Sequence, residues 1–111
     1  MGAVTNYAEI IKRLLRGYAD IKPSVGEVEV ELICDDEGGH YELMQCGWIG
    51  LQRVHGSVIH IDLRGDKVWI QHDGTNERIA TRLMEAGIPQ DQIVLGFHAP
   101  YKRPFTEFAT G

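Results

Sequence analysis

The stretch that decides the fold is DGTNERIATRLMEAGIPQDQIVLGF, residues 73–97. Before it, apolar residues recur at every second position. Within it they recur at helical spacing, and it closes on a short unbroken apolar run. Thr75 or Asn76 is placed to cap the first amides of a helix whose Ile79, Leu83 and Ala86 share one face. Gly87 stands where a left-handed C-cap belongs, Ile88 can pack back on Leu83, and Pro89 forbids continuation. The run QIVLGF, residues 92–97, then reads as a strand buried on both faces or under a helix, with Ile93 to Phe97 in the core.

Working back from this stretch, the period is two. In GEVEVELICDD (26–36), Val28, Val30 and Leu32 alternate with Glu27, Glu29 and Glu31, which predicts one core face and one solvated acidic face. DDEGG (35–39) is a hairpin turn, because glycine supplies the positive φ that such turns need. HYELMQCGWIG (40–50) follows as a second strand in which Gly47 is expected to mark a bulge. SVIHIDL (57–63) puts Ile59, Ile61 and Leu63 inward and Val58, His60 and Asp62 outward; Arg64-Gly65-Asp66-Lys67 turns the chain, and KVWIQ (67–71) returns it. At the N-terminal end, Val4, Tyr7, Ile11, Leu14, Tyr18 and Ile21 alternate three and four apart, the stripe of an amphipathic helix that Pro23 stops. That stripe packs on the chain's own sheet or forms a short seam for a partner helix. The expected architecture is a single α+β domain over 1–111. It has an N-terminal helix, a four-stranded antiparallel meander, a second helix, a short buried C-terminal strand and an extended tail.

Composition narrows the function classes. The chain has 111 residues and a formal net charge of −5, which argues against a phosphate-binding surface built from clustered Lys and Arg; no direct nucleic-acid binding is expected. No apolar run is long enough to span a membrane, and the opening MGAVTNYAEI lacks the apolar core of a secretory signal, so a cytoplasmic protein is expected. Cys34 and Cys46 fit neither a CxxC pair nor a zinc spacing and read as buried, reduced thiols.

Five histidines raise the question of metal or general-base chemistry. His60 and Asp62, two apart on a strand, share a face, and His72-Asp73 follows on the next strand; together these four are the candidate set for a metal-dependent hydrolase or nuclease. Without HExxH or HxH, a solvated polar strand face is the plainer reading. Asp62, Asp66 and Lys67 resemble a nuclease core only loosely, since Asp66 and Lys67 sit in a turn whose side chains point to solvent. No GxSxG, Walker or dinucleotide fingerprint occurs. No catalytic residue, metal or cofactor is therefore assigned.

The tail HAPYKRPFTEF (98–108) carries two prolines, three aromatics, Lys102 and Arg103. His98 is placed to bond a backbone carbonyl and anchor it. Pro100 and Pro104 stiffen it, so that Phe105 and Phe108 either cover this chain's core or touch another chain. His98, Pro100, Tyr101, Arg103, Phe105, Thr106 and Phe108, with the acidic row Glu27, Glu29 and Glu31, are the candidate partner-binding residues.

Asp73-Gly74-Thr75, Ala86-Gly87-Ile88-Pro89, Ile93 to His98, Pro100, Arg103 and Thr106 to Ala109, in that order and behind the opening YAEIIKRLLRGYA, resemble the XisI family, the fdxN element excision controlling factor proteins of cyanobacteria. The likeness covers nearly the whole chain. It implies a small α+β accessory protein, not an enzyme, that acts through protein–protein contacts with a XisH-like companion and a site-specific recombinase in DNA rearrangement. The nuclease-like member of that set is the companion. A homodimer is expected, and the acidic strand face is suited to a basic surface on the companion.

Overall fold

The computed structural model describes residues 3–20, 26–75 and 78–111. Helix α1 (Ala3–Ala19) is followed by β1 (Glu27–Asp35), β2 (His40–Ile49), β3 (Gln52–Arg64), β4 (Lys67–Asp73), α2 (Ile79–Glu85) and β5 (Ile93–Leu95). Single 3-10 turns cover Gln90–Gln92 and Pro100–Phe105. The strands form one five-stranded sheet in sequence order. β1 to β4 are an antiparallel meander, and β5 adds parallel to β4 after the α2 crossover. The α+β reading of the sequence holds.

The hairpins close as their glycines dictate. Gly39, at φ +73°, donates to the Asp35 carbonyl at 2.8 Å and accepts from the Leu63 amide at 2.7 Å. A side chain there would strike the Leu63 carbonyl, so the position admits only glycine. The turn is tied to α1 by Asp36, which accepts from Tyr41 Oη at 2.9 Å and pairs with Lys12 at 2.9 Å. Burial pushes the Tyr41 phenol up to about 12, with the Asp36 hydrogen bond adding to it.

The core lies between the helices and one face of the sheet. Ile11 and Leu15 of α1, Ile79 and Leu83 of α2, and Tyr41, Leu43, Ile59, Ile61, Val68, Ile70 and Ile93 of the strands are all essentially inaccessible. Val30 and Leu32 pack against them from β1, while Glu27, Glu29 and Glu31 are exposed. On α1 the buried line runs Tyr7, Ile11, Leu15, with Leu14 and Tyr18 only half-buried. Leu15 is thus the residue the three-four count left out. The side chain of Val4, and Ile21, Pro23 and Asn76, fall outside the described residues.

The end of α2 is as the sequence specifies. Ala86 is the C-cap, Gly87 takes φ +114°, Gly87 N–H donates to Met84 O at 3.0 Å, and Ile88 N–H to Leu83 O at 3.1 Å. These are the two bonds of a Schellman motif. Ala86 itself is exposed and adds nothing to the apolar face.

Several local expectations are corrected. Asp62 is 3 % exposed rather than solvated, because its face neighbours close over it. The irregularities of the ladder fall between Leu43 and Met44 and between His60 and Ile61, not at Gly47. Gly47 instead lets β1 approach, since a Cβ there would lie 2.0 Å from the Glu27 carbonyl. β3 begins at Gln52, well before the alternating segment, because backbone pairing with β2 needs no apolar pattern. β5 stops at Leu95, and Phe97 is half-exposed. Cys34 is exposed and Cys46 partly so, both as free thiols. No helix among the described residues is long and apolar enough to cross a membrane.

Candidate functional site

Both helices cover the same face of the sheet, so the opposite face is left to side chains. In antiparallel strands directly opposed residues share a face. The pairings Glu31↔Met44, Asp35↔His40, Glu42↔His60, His40↔Asp62 and Asp62↔Trp69 therefore place one polar array across β1 to β4.

At its centre is the buried Asp62 carboxylate. Its Oδ1 is hydrogen-bonded to His40 Nδ1 at 2.8 Å and to His60 Nε2 at 2.9 Å. Its Oδ2 accepts from Gln71 Nε2 at 3.2 Å and faces Arg64 Nη2 at 3.5 Å. Three hydrogen bonds and one guanidinium ion pair on a single carboxylate explain how a charge can sit at such low exposure. Burial alone pushes the Asp62 carboxyl up, but the bonds from His40 and Gln71, with the His60 charge and bond, hold it below its usual value. The bond to Asp62 in turn raises the His40 imidazole above its usual range.

The two ladder irregularities build this array. Counting back from Ile49↔Gln52 without a shift would set His40 opposite Ile61, on the core face. The extra residue Val58 restores His40 to the face of Asp62. Gln71 is the extra residue of β4, intercalated between the pairs Ile61↔Ile70 and His60↔His72, and it is the one that reaches Asp62.

The array extends to the tail through Trp69. The guanidinium of Arg64 lies 4.9 Å and that of Arg103 5.1 Å from the Trp69 ring centroid. Arg103 Nε also donates to the His98 carbonyl at 3.1 Å. His98 thus anchors the tail with its backbone, its ring lying 4.7 Å from that of Phe97. Thr106 Oγ1 donates to Arg103 O at 2.8 Å and accepts from Phe108 N at 3.2 Å. Ala109 N–H donates to Ile93 O at 2.9 Å and bridges Val94. Pro100 to Phe105 form a 3-10 turn, not an extended strap. Tyr101 and Phe105 are exposed, at 71 % and 88 %, while Phe108 packs on the core, so the two phenylalanines do different things.

Of the four candidate ligands, the structure keeps two together. His60 and Asp62 converge, but His72 lies outside the cluster. Asp73 caps α2: its Oδ2 accepts from Ile79 N at 3.0 Å, and its Oδ1 accepts from Thr75 N at 2.9 Å and from Thr75 Oγ1 at 2.7 Å. Asp73 thus supplies an acceptor to the first amide of α2, and Asn76 lies outside the described residues. His40 is the residue the sequence reading missed.

Two concavities border the candidate residues. A groove of about 810 Å³ runs along β1 beside Gly26 to Glu31, Cys46 and Gly47. A smaller one of about 350 Å³ is lined by Asp73, Arg78, Thr81, Phe97, His98 and Phe108 among others. Arg78 sits there at φ +53°, which among the described non-glycine residues is the single positive value. The larger groove is not where the titratable cluster lies. The cluster, not the groove, has convergent polar groups, and shape without them specifies no ligand.

The sequence profile described as XisI protein matches residues 1–110. The chain belongs to the XisI family. Two solved structures agree with this. A XisI-like protein from Anabaena variabilis superposes with a TM-score of 0.91 at 42 % identity, covering 97 % of this chain and 99 % of that one. The fdxN element excision controlling factor XisI from Anabaena variabilis superposes with a TM-score of 0.83 at 38 % identity, covering 97 % and 98 %. No curated protein matches the chain. The positions that carry the XisI resemblance have structural work in this chain: Asp73 caps α2, Gly87 ends it, Ile93 and Val94 are buried, and Thr106 and Ala109 fasten the tail.

Proposed function

We propose that this chain is a non-enzymatic control factor in the excision of DNA elements, and that it works by binding proteins: a XisH-like companion and, through it, a site-specific recombinase. Family membership supplies the context. The observation that carries the mode of action is β1. It is the first strand of the sheet, so among the described residues no strand pairs with its outer edge, and Glu27, Glu29 and Glu31 stand exposed along it. An unpaired edge offers backbone donors and acceptors to an incoming segment, and a row of carboxylates selects a basic one. The exposed Tyr101 and Phe105 of the tail are a second contact surface, with Arg103, Pro100 and His98 holding the turn that presents them.

The experiment is co-expression with a tagged companion, followed by affinity capture and light scattering. The parent chain is expected to co-purify at moderate salt, and the triple reversal E27K/E29K/E31K to lose the complex while remaining folded. A reversal variant that binds as well as the parent, or a parent that forms no complex, overturns the reading.

A further inference from the structure

We propose that His40, His60 and Asp62 form a binding site for one divalent transition metal ion of the zinc class, on the face of the sheet opposite the helices. The inference is independent of the protein-partner reading.

Three features of the cluster carry it. The donor atoms already converge: one nitrogen of each imidazole and one oxygen of Asp62 lie within 4.8 Å of one another. Around a zinc ion with bonds of about 2.0–2.2 Å, tetrahedral donors sit about 3.3 Å apart. The present 2.8 and 2.9 Å contacts to Asp62 would open by a few tenths of an ångström. The two imidazole nitrogens, within 4.8 Å of each other, would settle at the same spacing by rotation about their side-chain bonds. The ligands also stand on rigid elements, two of them two residues apart on β3 and the third directly opposite on β2. Finally, the carboxylate is oriented from behind. Gln71 and Arg64 engage Oδ2, leaving Oδ1 aimed at the imidazoles, which is the supporting arrangement that metal-binding carboxylates use.

The chemistry of the donor set selects the ion. Two imidazoles and one carboxylate suit zinc and its first-row neighbours, whereas calcium and magnesium take oxygen ligands. Access is from solvent, since the His40 side chain is 58 % exposed. Three protein ligands leave a fourth tetrahedral position open, for water or for a donor from a bound partner. Arg64 faces the oxygen that does not coordinate, and Glu42 and Asp35, the cross-strand neighbours of His60 and His40, keep the surroundings anionic.

The test uses the tag-free full chain, stripped with a chelator and titrated with zinc chloride in a calorimeter, and with cobalt chloride followed by visible absorption. The parent is expected to take up one zinc per chain and to show the intense visible bands of four-coordinate cobalt. H40Q and H60Q should each weaken zinc by more than about 100-fold, while Q71A, which removes only support, should cost about tenfold. H72Q lies outside the cluster and should bind like the parent, and magnesium should give no heat. Circular dichroism establishes that each variant is folded; the partly exposed His40 and His60 carry the test, so it does not depend on the buried Asp62. A parent that binds no zinc, H40Q and H60Q that bind it like the parent, or H72Q that loses it, overturns the site.

Discussion

Replacing Asp73 by alanine separates the two roles that residue can have. The carboxylate accepts three hydrogen bonds, from Ile79 N at 3.0 Å, Thr75 N at 2.9 Å and Thr75 Oγ1 at 2.7 Å. The first supplies an acceptor to one of the amides that open α2, and the other two fold the Asp73–Thr75 corner that delivers the chain to it. Losing a helix cap costs about 1 kcal/mol and up to about 2 kcal/mol. Hydrogen bonds to a charged acceptor are individually worth about 1.5–3 kcal/mol, but three on one group do not add. The expected loss is therefore about 2 kcal/mol, which for a domain of this size lowers the melting temperature by roughly 8 °C. D73N keeps one carbonyl oxygen and should fall about midway. Urea unfolding read by circular dichroism gives the values, and zinc uptake by D73A should match the parent. A loss below about 0.5 kcal/mol would refute the capping argument. A folded D73A that no longer takes up zinc would return Asp73 to the ligand set.

Further outcomes follow from the same geometry. Gly87 at φ +114° should make G87A cost about 1–2 kcal/mol in the same unfolding assay, since only glycine adopts that conformation without strain. Phe108 packs on the core and Phe105 is 88 % exposed, so F108A should cost about 2 kcal/mol and F105A less than about 0.5 kcal/mol, compared by thermal melts. Tyr41, raised to about 12, stays protonated in the folded chain where the unfolded phenol, near 10, has ionised. Stability from this group is therefore fully present below pH 10 and is lost as pH rises from about 10 to about 12, on the order of 2–3 kcal/mol in all. Y41F should show a flatter alkaline limb than the parent, and tyrosinate absorbance should lose a transition near pH 12 in that variant.

Much of this fold is legible because one-dimensional periods map directly onto it. Val30 and Leu32 face the core for the same reason that they alternate with glutamates. Gly87-Ile88-Pro89 ends α2 because each residue has a single conformational use there. The central site is less legible. His60 and Asp62 are neighbours by strand period, but His40 joins them only through a cross-strand register set by the Gly50–Leu51 turn and by the extra Val58. A slip of one residue would have sent His40 to the other face, and no local pattern records the slip. The burial of Asp62 has the same origin, since its cover comes from His40, Gln71 and Arg64 on three strands. The structural role of Asp73 is hidden for another reason: the carboxylate stands six residues ahead of the amide it serves, outside the usual spacing between cap and helix.

The glutamates of β1 also act on self-recognition. Suppose a second copy joined the edge of β1 antiparallel, its helices on the same side, to make one continuous sheet. Odd-numbered residues would then oppose odd-numbered residues, and Glu27, Glu29 and Glu31 would meet their own counterparts. Like charges directly opposed across strands are destabilising, and exposed edges are commonly guarded from stacking by charge. By that rule the strand would sort newcomers by sign, turning away its own copies and other acidic segments while admitting a basic one. Salt relaxes that rule, so edge-to-edge association of this chain should appear first at high ionic strength.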